Sequence, residues 1–133
     1  MTEVAEALLA PRIVLIEDDP LVLFGQELLL KDWGYRVVAG TSREAIRHAL
    51  GDAPGDVAAI IADFNLGGAE TGADVARAVA EAASRQIPTV VMSASMGRTS
   101  GAEALLHGFA FFAKPVDPEQ LRDWLTSATT AGG

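Results

Sequence analysis

The sequence predicts an α/β protein in which a doubly wound parallel β-sheet lies between layers of helices. Short apolar runs rich in β-branched residues alternate along the chain with segments of helical periodicity, and short connections join them. Several of the runs show no alternation of polar and apolar residues, which is typical of strands buried on both faces. The chain has 133 residues, of which 50% are hydrophobic, and this is enough for one domain with a full core.

Five apolar runs are predicted to be strands, and most of them end at a polar residue. The first run stops at Glu17, the third at Asp63, the fourth at Ser93 and the fifth at Lys114. The carboxyl ends of parallel strands lie at one edge of an open sheet, where folds of this class bind ligands, so these side chains are expected to meet there. The runs comprise residues 12–16, 35–39, 57–62, 88–92 and 109–113.

The first predicted helix has a clear start and a clear end. Asp19 followed by Pro20 supplies an N-cap and a first-turn proline, and Gly34 marks the end. Apolar residues recur between them at near-helical spacing, which predicts a face that packs in the core or at an interface. These residues are Leu21, Phe24, Leu28 and Trp33.

The other helices are shorter or less regular. Thr41 to Glu44 has the form of a capping box before a second helix that ends at Gly51, and a Gly-rich loop leads into an alanine-rich third helix over about residues 73–83. A loop with Gly97 and Gly101 precedes a short fourth helix that ends at His107, and Asp117 and Pro118 start the last one. Leu121, Trp124 and Leu125 mark the apolar face of that last helix. The predicted organisation is an N-terminal extension at residues 1–11, the domain at 12–127 and a flexible C-terminal tail at 128–133.

The composition excludes several classes of function. Eighteen acidic and ten basic side chains give a net charge of −8, which repels nucleic acid and anionic membranes, so neither is expected as a partner. Without cysteine there is no disulfide framework, thiolate metal site or cysteine nucleophile. The first ten residues lack the basic start of a signal peptide, and no apolar run reaches the roughly 18 residues of a membrane span, so a cytoplasmic protein is expected.

The polar residues at the predicted sheet edge favour phosphoryl chemistry. Carboxylates crowded at one site repel one another, and a hard divalent cation such as Mg²⁺ relieves this repulsion with few protein ligands. Lys114 and the metal would neutralise phosphoryl oxygens while Ser93 donates a hydrogen bond. The carboxylate of Asp63 would be the nucleophile.

Four segments resemble the signature blocks of response-regulator receiver domains. They are IEDDP at residues 16–20, IADFNL at 61–66, VMSA at 91–94 and FFAKP at 111–115. The resemblance covers about residues 12–127 and implies a flavodoxin-like fold with five parallel strands in the order 2-1-3-4-5 and five helices. It is similar to a chemotaxis-regulator-like single-domain receiver of two-component signalling, which is not an enzyme beyond catalysing its own phosphorylation and dephosphorylation.

The resemblance also implies roles for individual residues of the acidic site. Asp63 would be the phosphoacceptor and a ligand of Mg²⁺, and Asp18 would bind the metal directly. Glu17 would act mainly through metal-bound water, and the main-chain carbonyl of Asn65 would be the third protein ligand. Ser93, Ala94 and Lys114 would contact the phosphoryl group.

A switch and a cis peptide bond follow from the same resemblance. Ser93 and Phe111 would be the switch pair: the hydroxyl moves toward the phosphoryl group and the aromatic ring turns inward. This change would alter a face formed by Phe111 and residues 102–106 and 121–125. Ser93 replaces the more common threonine and is less restricted at χ1, so a looser coupling is expected. The bond between Lys114 and Pro115 would be cis.

The expected partners are a histidine kinase or a histidine phosphotransfer protein, and then a downstream protein or a second copy of the chain. The loop at residues 67–72 is slightly longer than is usual in the family and lacks its common proline, so kinase docking would change.

Other functions remain open from the sequence. A receiver fold can serve as an interaction module that needs no phosphorylation. A Mg²⁺-dependent aspartyl phosphatase of the haloacid-dehalogenase type would need its nucleophile after the first strand and an acid two residues on, where Asn65 stands here. A flavodoxin-like protein would need a phosphate loop for FMN after the first strand, which here carries acidic residues.

Overall fold

Parallel strands form one sheet between two layers of helices in the computed structural model, which describes residues 10–51, 54–94 and 98–131. The order along the sheet is β2-β1-β3-β4-β5, and every neighbouring pair is parallel. This confirms the predicted doubly wound sheet and its order. The strands are β1 (Arg12–Ile16), β2 (Arg36–Gly40), β3 (Val57–Asp63), β4 (Thr89–Ser93) and β5 (Ala110–Ala113).

The helices cover both faces of the sheet. Two of them, α1 (Pro20–Asp32) and α5 (Pro118–Ala131), pack on one side. The other three, α2 (Arg43–Leu50), α3 (Gly72–Ala83) and α4 (Arg98–Leu106), pack on the opposite side, and a short 3-10 turn at Pro54–Asp56 precedes β3. β2 and β5 are the edge strands, so α4 and α5 lie on opposite sides of the β5 edge.

Burial on both faces explains the unbroken apolar runs. In β1, Ile13 and Leu15 pack with α1 and α5, whereas Val14 and Ile16 pack with α2 and α3. Successive side chains of a strand point to opposite faces, so a strand with helices on both sides needs apolar residues at every position. Each such side chain contributes about 1.5–3 kcal/mol by its burial.

The apolar face predicted for the first helix is wrong in its orientation. Leu21, Phe24 and Leu28 are 79%, 60% and 53% exposed, whereas Leu30 is buried against the sheet. Trp33 does pack against the same core cluster, as expected. Helix α1 is apolar on several sides, so the spacing of its residues did not reveal which side meets the sheet. The consequence is an exposed apolar surface on α1.

Two helix boundaries also differ from the prediction. Helix α4 already begins at Arg98 and includes Gly101, which was expected in a loop, and the N-cap of α2 is Ser42 rather than Thr41. The last helix continues to Ala131, so residues 128–131 are not a tail. The hydroxyls of Thr129 and Thr130 donate to carbonyls one turn back, at 2.8 and 2.7 Å, and so follow the helix instead of ending it.

Some predicted features lie outside the described residues. These are the first nine residues of the N-terminal extension, Gly97 in the loop before α4, and residues 132–133 at the C-terminus.

Candidate functional site

Three carboxylates meet at the carboxyl ends of β1 and β3. The two strands are neighbours and pair Ile16 with Ala62, so the residues that follow them, Glu17 and Asp63, lie side by side. One oxygen from each of Glu17, Asp18 and Asp63 lies within 4.8 Å of the others. Glu17 and Asp63 are buried, whereas Asp18 is exposed. The sequence-based prediction of an acidic cluster at this edge therefore describes residues that the fold does bring together.

Lys114 joins this cluster from the other end of the sheet. It follows β5, and its Nζ lies 3.3 Å from Glu17 Oε2 and 3.3 Å from Asp63 Oδ2. The ammonium group thus lies between two buried carboxylates and offsets part of their charge. The peptide bond from Lys114 to Pro115 is cis, the isomer that was expected.

Burial of Glu17 has an electrostatic consequence. Removal of its carboxylate from water raises the pKa of Glu17, and the negative charge of Asp63 raises this pKa further. Lys114 and the main-chain N–H of Asp19, which donates to Glu17 Oε1 at 3.4 Å, act in the opposite direction and lower the pKa. The net direction is upward, so the site gains stability from any additional positive charge placed among the carboxylates.

The donor atoms of the cluster fit a magnesium ion. All of them are carboxylate oxygens, the hard ligands that Mg²⁺ prefers, and they converge on one point from two strands. Asp18 is open to solvent, which suits an ion that keeps several of its waters. The cluster can therefore hold a divalent cation. Glu17, Asp18 and Asp63 are the residues that would bind it.

Ser93 and Asn65 are joined by a hydrogen bond beside the cluster. The amide Nδ2 of Asn65 donates to Ser93 Oγ at 3.3 Å. Ser93 is buried, and its main-chain oxygen accepts from the N–H of Lys114 at 2.8 Å, which holds the ends of β4 and β5 together. Ala94, the next residue, is exposed. All the residues predicted to handle a phosphoryl group thus lie at or beside the same edge.

Phe111 lies on the α4 side of the sheet. It is paired with Val91 of β4 in the sheet register, and Val91 and Ser93 point to the same side because they are two residues apart. The ring is partly buried, in a cluster that includes Phe64 and Ala104. Trp124, by contrast, packs in the core between α5 and α1. The expected face with both aromatic residues is therefore divided by the sheet.

Comparison with known proteins agrees with this geometry. The sequence profile of the response regulator receiver domain matches residues 13–126. The chain belongs to this family. A response regulator receiver protein from Sinorhizobium medicae superposes with a TM-score of 0.78 at 23% identity, covering 95% of this chain and 99% of that one. Chemotaxis protein CheY4 from Vibrio cholerae gives 0.74 at 20% identity, covering 90% and 98%. A receiver domain from Clostridium thermocellum gives 0.77 at 18% identity, covering 92% and 96%. No curated protein gives a significant sequence match.

The loop after Asp63 contains contacts of this receiver domain that the sequence did not reveal. Asn65 and Thr71 form an isolated β-bridge that closes the loop, and Arg43 of α2 forms an ion pair with Glu70 within it. Gly67 has φ of +75°, and a Cβ there would lie 3.4 Å from Asp18 Oδ2. Its backbone therefore runs against the acidic cluster. The run of glycines was the one signal of a close approach, but it did not say what the loop approaches.

Helix α3 of the receiver domain begins with a capping box that the sequence analysis also missed. Thr71 Oγ1 accepts from the N–H of Asp74 at 3.2 Å, and Asp74 Oδ2 accepts from the N–H of Thr71 at 3.0 Å. The hydrogen bond from the Thr71 N–H is the main reason why the pKa of Asp74 is lowered. Aspartate in place of the usual glutamate hid the motif. In the described part of the chain, no helix has both the length and the apolar character of a membrane span.

Proposed function

We propose that this receiver domain accepts a phosphoryl group on Asp63 from a phosphohistidine of a histidine kinase or phosphotransfer protein, with Mg²⁺, and that the modification changes a protein-binding surface. The observation that carries the proposal is the position of Lys114 Nζ, 3.3 Å from Asp63 Oδ2, within the same cluster as Glu17 and Asp18. Family membership supports it.

The proposed chemistry uses groups that this edge of the sheet supplies. A carboxylate oxygen of Asp63 attacks phosphorus, the phosphorus–nitrogen bond of the donor breaks, and its electrons leave with the imidazole. The product is an acyl phosphate on Asp63. Lys114 balances negative charge on the phosphoryl oxygens, and the Ser93 hydroxyl can hydrogen-bond to one of them. Bound Mg²⁺ would add positive charge for the same oxygens.

The exposed apolar surface on α1 supports docking of a phosphoryl donor. Helix α1 begins directly after the acidic residues, so Leu21 lies near the edge that holds Asp63, and Phe24 and Leu28 continue the surface along the helix. Apolar patches of this kind often mark protein-binding sites. A donor protein placed here would bring its phosphohistidine close to Asp63.

Helix α4 offers a second surface, for output. Leu105 and Leu106 are mostly exposed, and Ala104 packs in the cluster that includes Phe111. A Cβ placed on Gly101 would lie 3.9 Å from the Phe111 ring, so this aromatic side chain and α4 are in direct reach of each other. A change in the rotamer of Phe111 would therefore alter α4, which could bind a target protein or a second copy of the chain.

The test is incubation of the purified chain with acetyl phosphate and Mg²⁺, followed by intact mass measurement. We expect a gain of one phosphoryl group that hydroxylamine removes. Asp63→Asn should abolish the gain, and Asp123→Asn, which changes an exposed carboxyl group on α5, should retain it. No adduct in the wild type, or an adduct that resists hydroxylamine, would refute the proposal. A target protein that binds the Asp63→Asn variant as well as the phosphorylated wild type would instead favour the interaction module that needs no phosphate.

Transmission to α4 needs a separate measurement. Beryllofluoride, which mimics an acyl phosphate, should shift amide NMR signals at the ends of β4 and β5 and along α4. Shifts confined to the neighbours of Asp63 would show that phosphate is accepted without being transmitted, as in a phosphate sink.

A further inference from the structure

Ser93 is fixed through its main chain, so rotation about χ1 is the movement open to its hydroxyl. The residue pairs with Ala113 of β5, and its carbonyl accepts from Lys114 N–H at 2.8 Å. The preceding residue, Met92, accepts from Phe64 N–H at 2.8 Å on the other side. The end of β4 is therefore held from both neighbouring strands, and a displacement of Ser93 by its backbone would break these bonds.

Serine alone gives this rotation little restraint. It carries one heavy atom on Cβ, so all three staggered χ1 positions are accessible, whereas threonine has a second group on Cβ that restricts χ1. A serine at this position therefore leaves the orientation of the hydroxyl to its hydrogen bonds. The bond from Asn65 Nδ2 to Ser93 Oγ is one that the structure provides.

Asn65 is well placed to supply such a restraint. It follows Phe64, whose N–H is bonded to β4, and the β-bridge to Thr71 fixes its main chain from the other side of the loop. Its amide group therefore extends toward Ser93 from a backbone that is held in place. The side chain is open to solvent, so the hydrogen bond is of ordinary strength and can be exchanged when the site changes.

We infer that Asn65 is a positioning residue whose side-chain amide holds the hydroxyl of Ser93 in one rotamer in the unphosphorylated chain, and so supplies the restraint that the methyl group of threonine would give. The inference rests on the proposed function in one respect, because a switch role for Ser93 presupposes phosphorylation of Asp63. The rotamer itself does not depend on it.

The consequence is a threshold for the switch. A Ser93 hydroxyl that turns toward a phosphoryl group must give up its bond to Asn65. Without this bond the unphosphorylated chain would sample the other rotamers more often, by a factor of about two to ten for a neutral hydrogen bond. Asn65 would thus keep the resting population of the switched state low.

The test measures the χ1 distribution of Ser93 from the coupling constants between its α and β protons, in unphosphorylated protein without added metal. The wild type should show the unequal couplings of one rotamer, and Asn65→Ala should show averaged couplings. The double variant Asn65→Ala/Ser93→Thr should regain a single rotamer, because the threonine methyl restricts χ1 without the amide. Gly68→Ala changes the same loop at a position where a Cβ meets open space, and it should behave as the wild type.

Wild-type couplings in Asn65→Ala would overturn the inference, and so would equal averaging in Gly68→Ala, which would indicate a general effect of the loop. The single variant alone decides the matter if the double variant fails to fold. None of these measurements requires a phosphoryl group. A chain that does not accept phosphate on Asp63 would therefore refute the proposed function and leave the rotamer result standing.

Discussion

Gly72 lies so close to the main-chain carbonyl of Asp63 that a Cβ at position 72 would be 2.0 Å from the carbonyl oxygen. The N–H of Gly72 also donates to the oxygen of Phe64 at 3.0 Å. The first residue of α3 is therefore packed directly on the backbone that carries the proposed phosphoacceptor, and the position of the Asp63 carboxylate depends on a glycine nine residues further along the chain.

Gly72→Ala should accordingly displace the end of β3. A backbone atom cannot move aside as the end of a side chain can, so we expect a loss of about 1–3 kcal/mol in the free energy of unfolding and slower phosphoryl uptake from acetyl phosphate. Chemical denaturation and intact mass measure the two effects. Gly68→Ala is the matched control, with a change within about 0.5 kcal/mol. Equal behaviour of the two variants would contradict the close packing.

Mg²⁺ should stabilise the folded chain through the acidic cluster. A ligand that binds only the native state adds about 1.4 kcal/mol at ten times its Kd, which corresponds to a rise of roughly 3–6 °C in Tm. We expect a Kd in the millimolar or sub-millimolar range. Asp18→Ala should remove the dependence of Tm on Mg²⁺, whereas Asp32→Ala, at the exposed end of α1, should keep it. A wild-type Tm that does not change across a Mg²⁺ titration would argue against the site.

The capping box of α3 should make stability depend on pH. The pKa of Asp74 is lowered in the folded chain from its ordinary value of 3.8, so its ionised form is favoured by folding. This contribution is present above that ordinary value and disappears as the pH falls through the lowered one. Asp74→Ala should therefore cost about 1 kcal/mol at neutral pH and progressively less below about pH 4. Urea denaturation across this range, with Asp123→Ala as control, measures it. A cost that is independent of pH would show that the charge is not involved.

The exposed surface of α1 should affect phosphotransfer from a protein but not from a small molecule. Phe24→Ser removes an apolar side chain that is 60% exposed, so the stability should change by less than about 0.5 kcal/mol. Transfer from a phosphorylated histidine protein should slow about tenfold or more if Phe24 anchors the complex, while uptake from acetyl phosphate stays unchanged. Leu106→Ser, on α4, is the control that should leave both reactions intact. Equal loss with both donors would place the defect at Asp63 instead.

The sequence was sufficient for the fold and for the acidic cluster because each depends on local patterns. Strands buried on both faces need continuous apolar runs, and parallel strands bring their carboxyl ends to one edge whatever the details of packing. Glu17, Asp63 and Lys114 could therefore be placed together from their positions after the strands. Their spacing in the structure, with Lys114 Nζ 3.3 Å from each carboxylate, agrees with that expectation.

The features that the sequence did not reveal depend on which surface packs against which. Helix α1 is apolar on more than one side, so the exposure of Phe24 follows from the sheet and not from the helix. The contact of Gly72 with Asp63 and the pair of Arg43 with Glu70 join segments whose relative position is set by the whole fold. Trp124 was assigned to the same face as Phe111, although the sheet separates them, because helix periodicity does not say on which side of a sheet a helix lies.

The two exposed apolar surfaces lie on helices that cover opposite sides of the sheet, α1 on one and α4 on the other. A phosphoryl donor on α1 and a target on α4 would therefore not compete for one footprint, and a ternary complex is sterically open. In such a complex the target could associate before the donor has left, so the speed of a response would be limited by the rearrangement around Phe111 rather than by the dissociation of the kinase. A receiver whose donor and target share a single surface would have to exchange one for the other in every cycle.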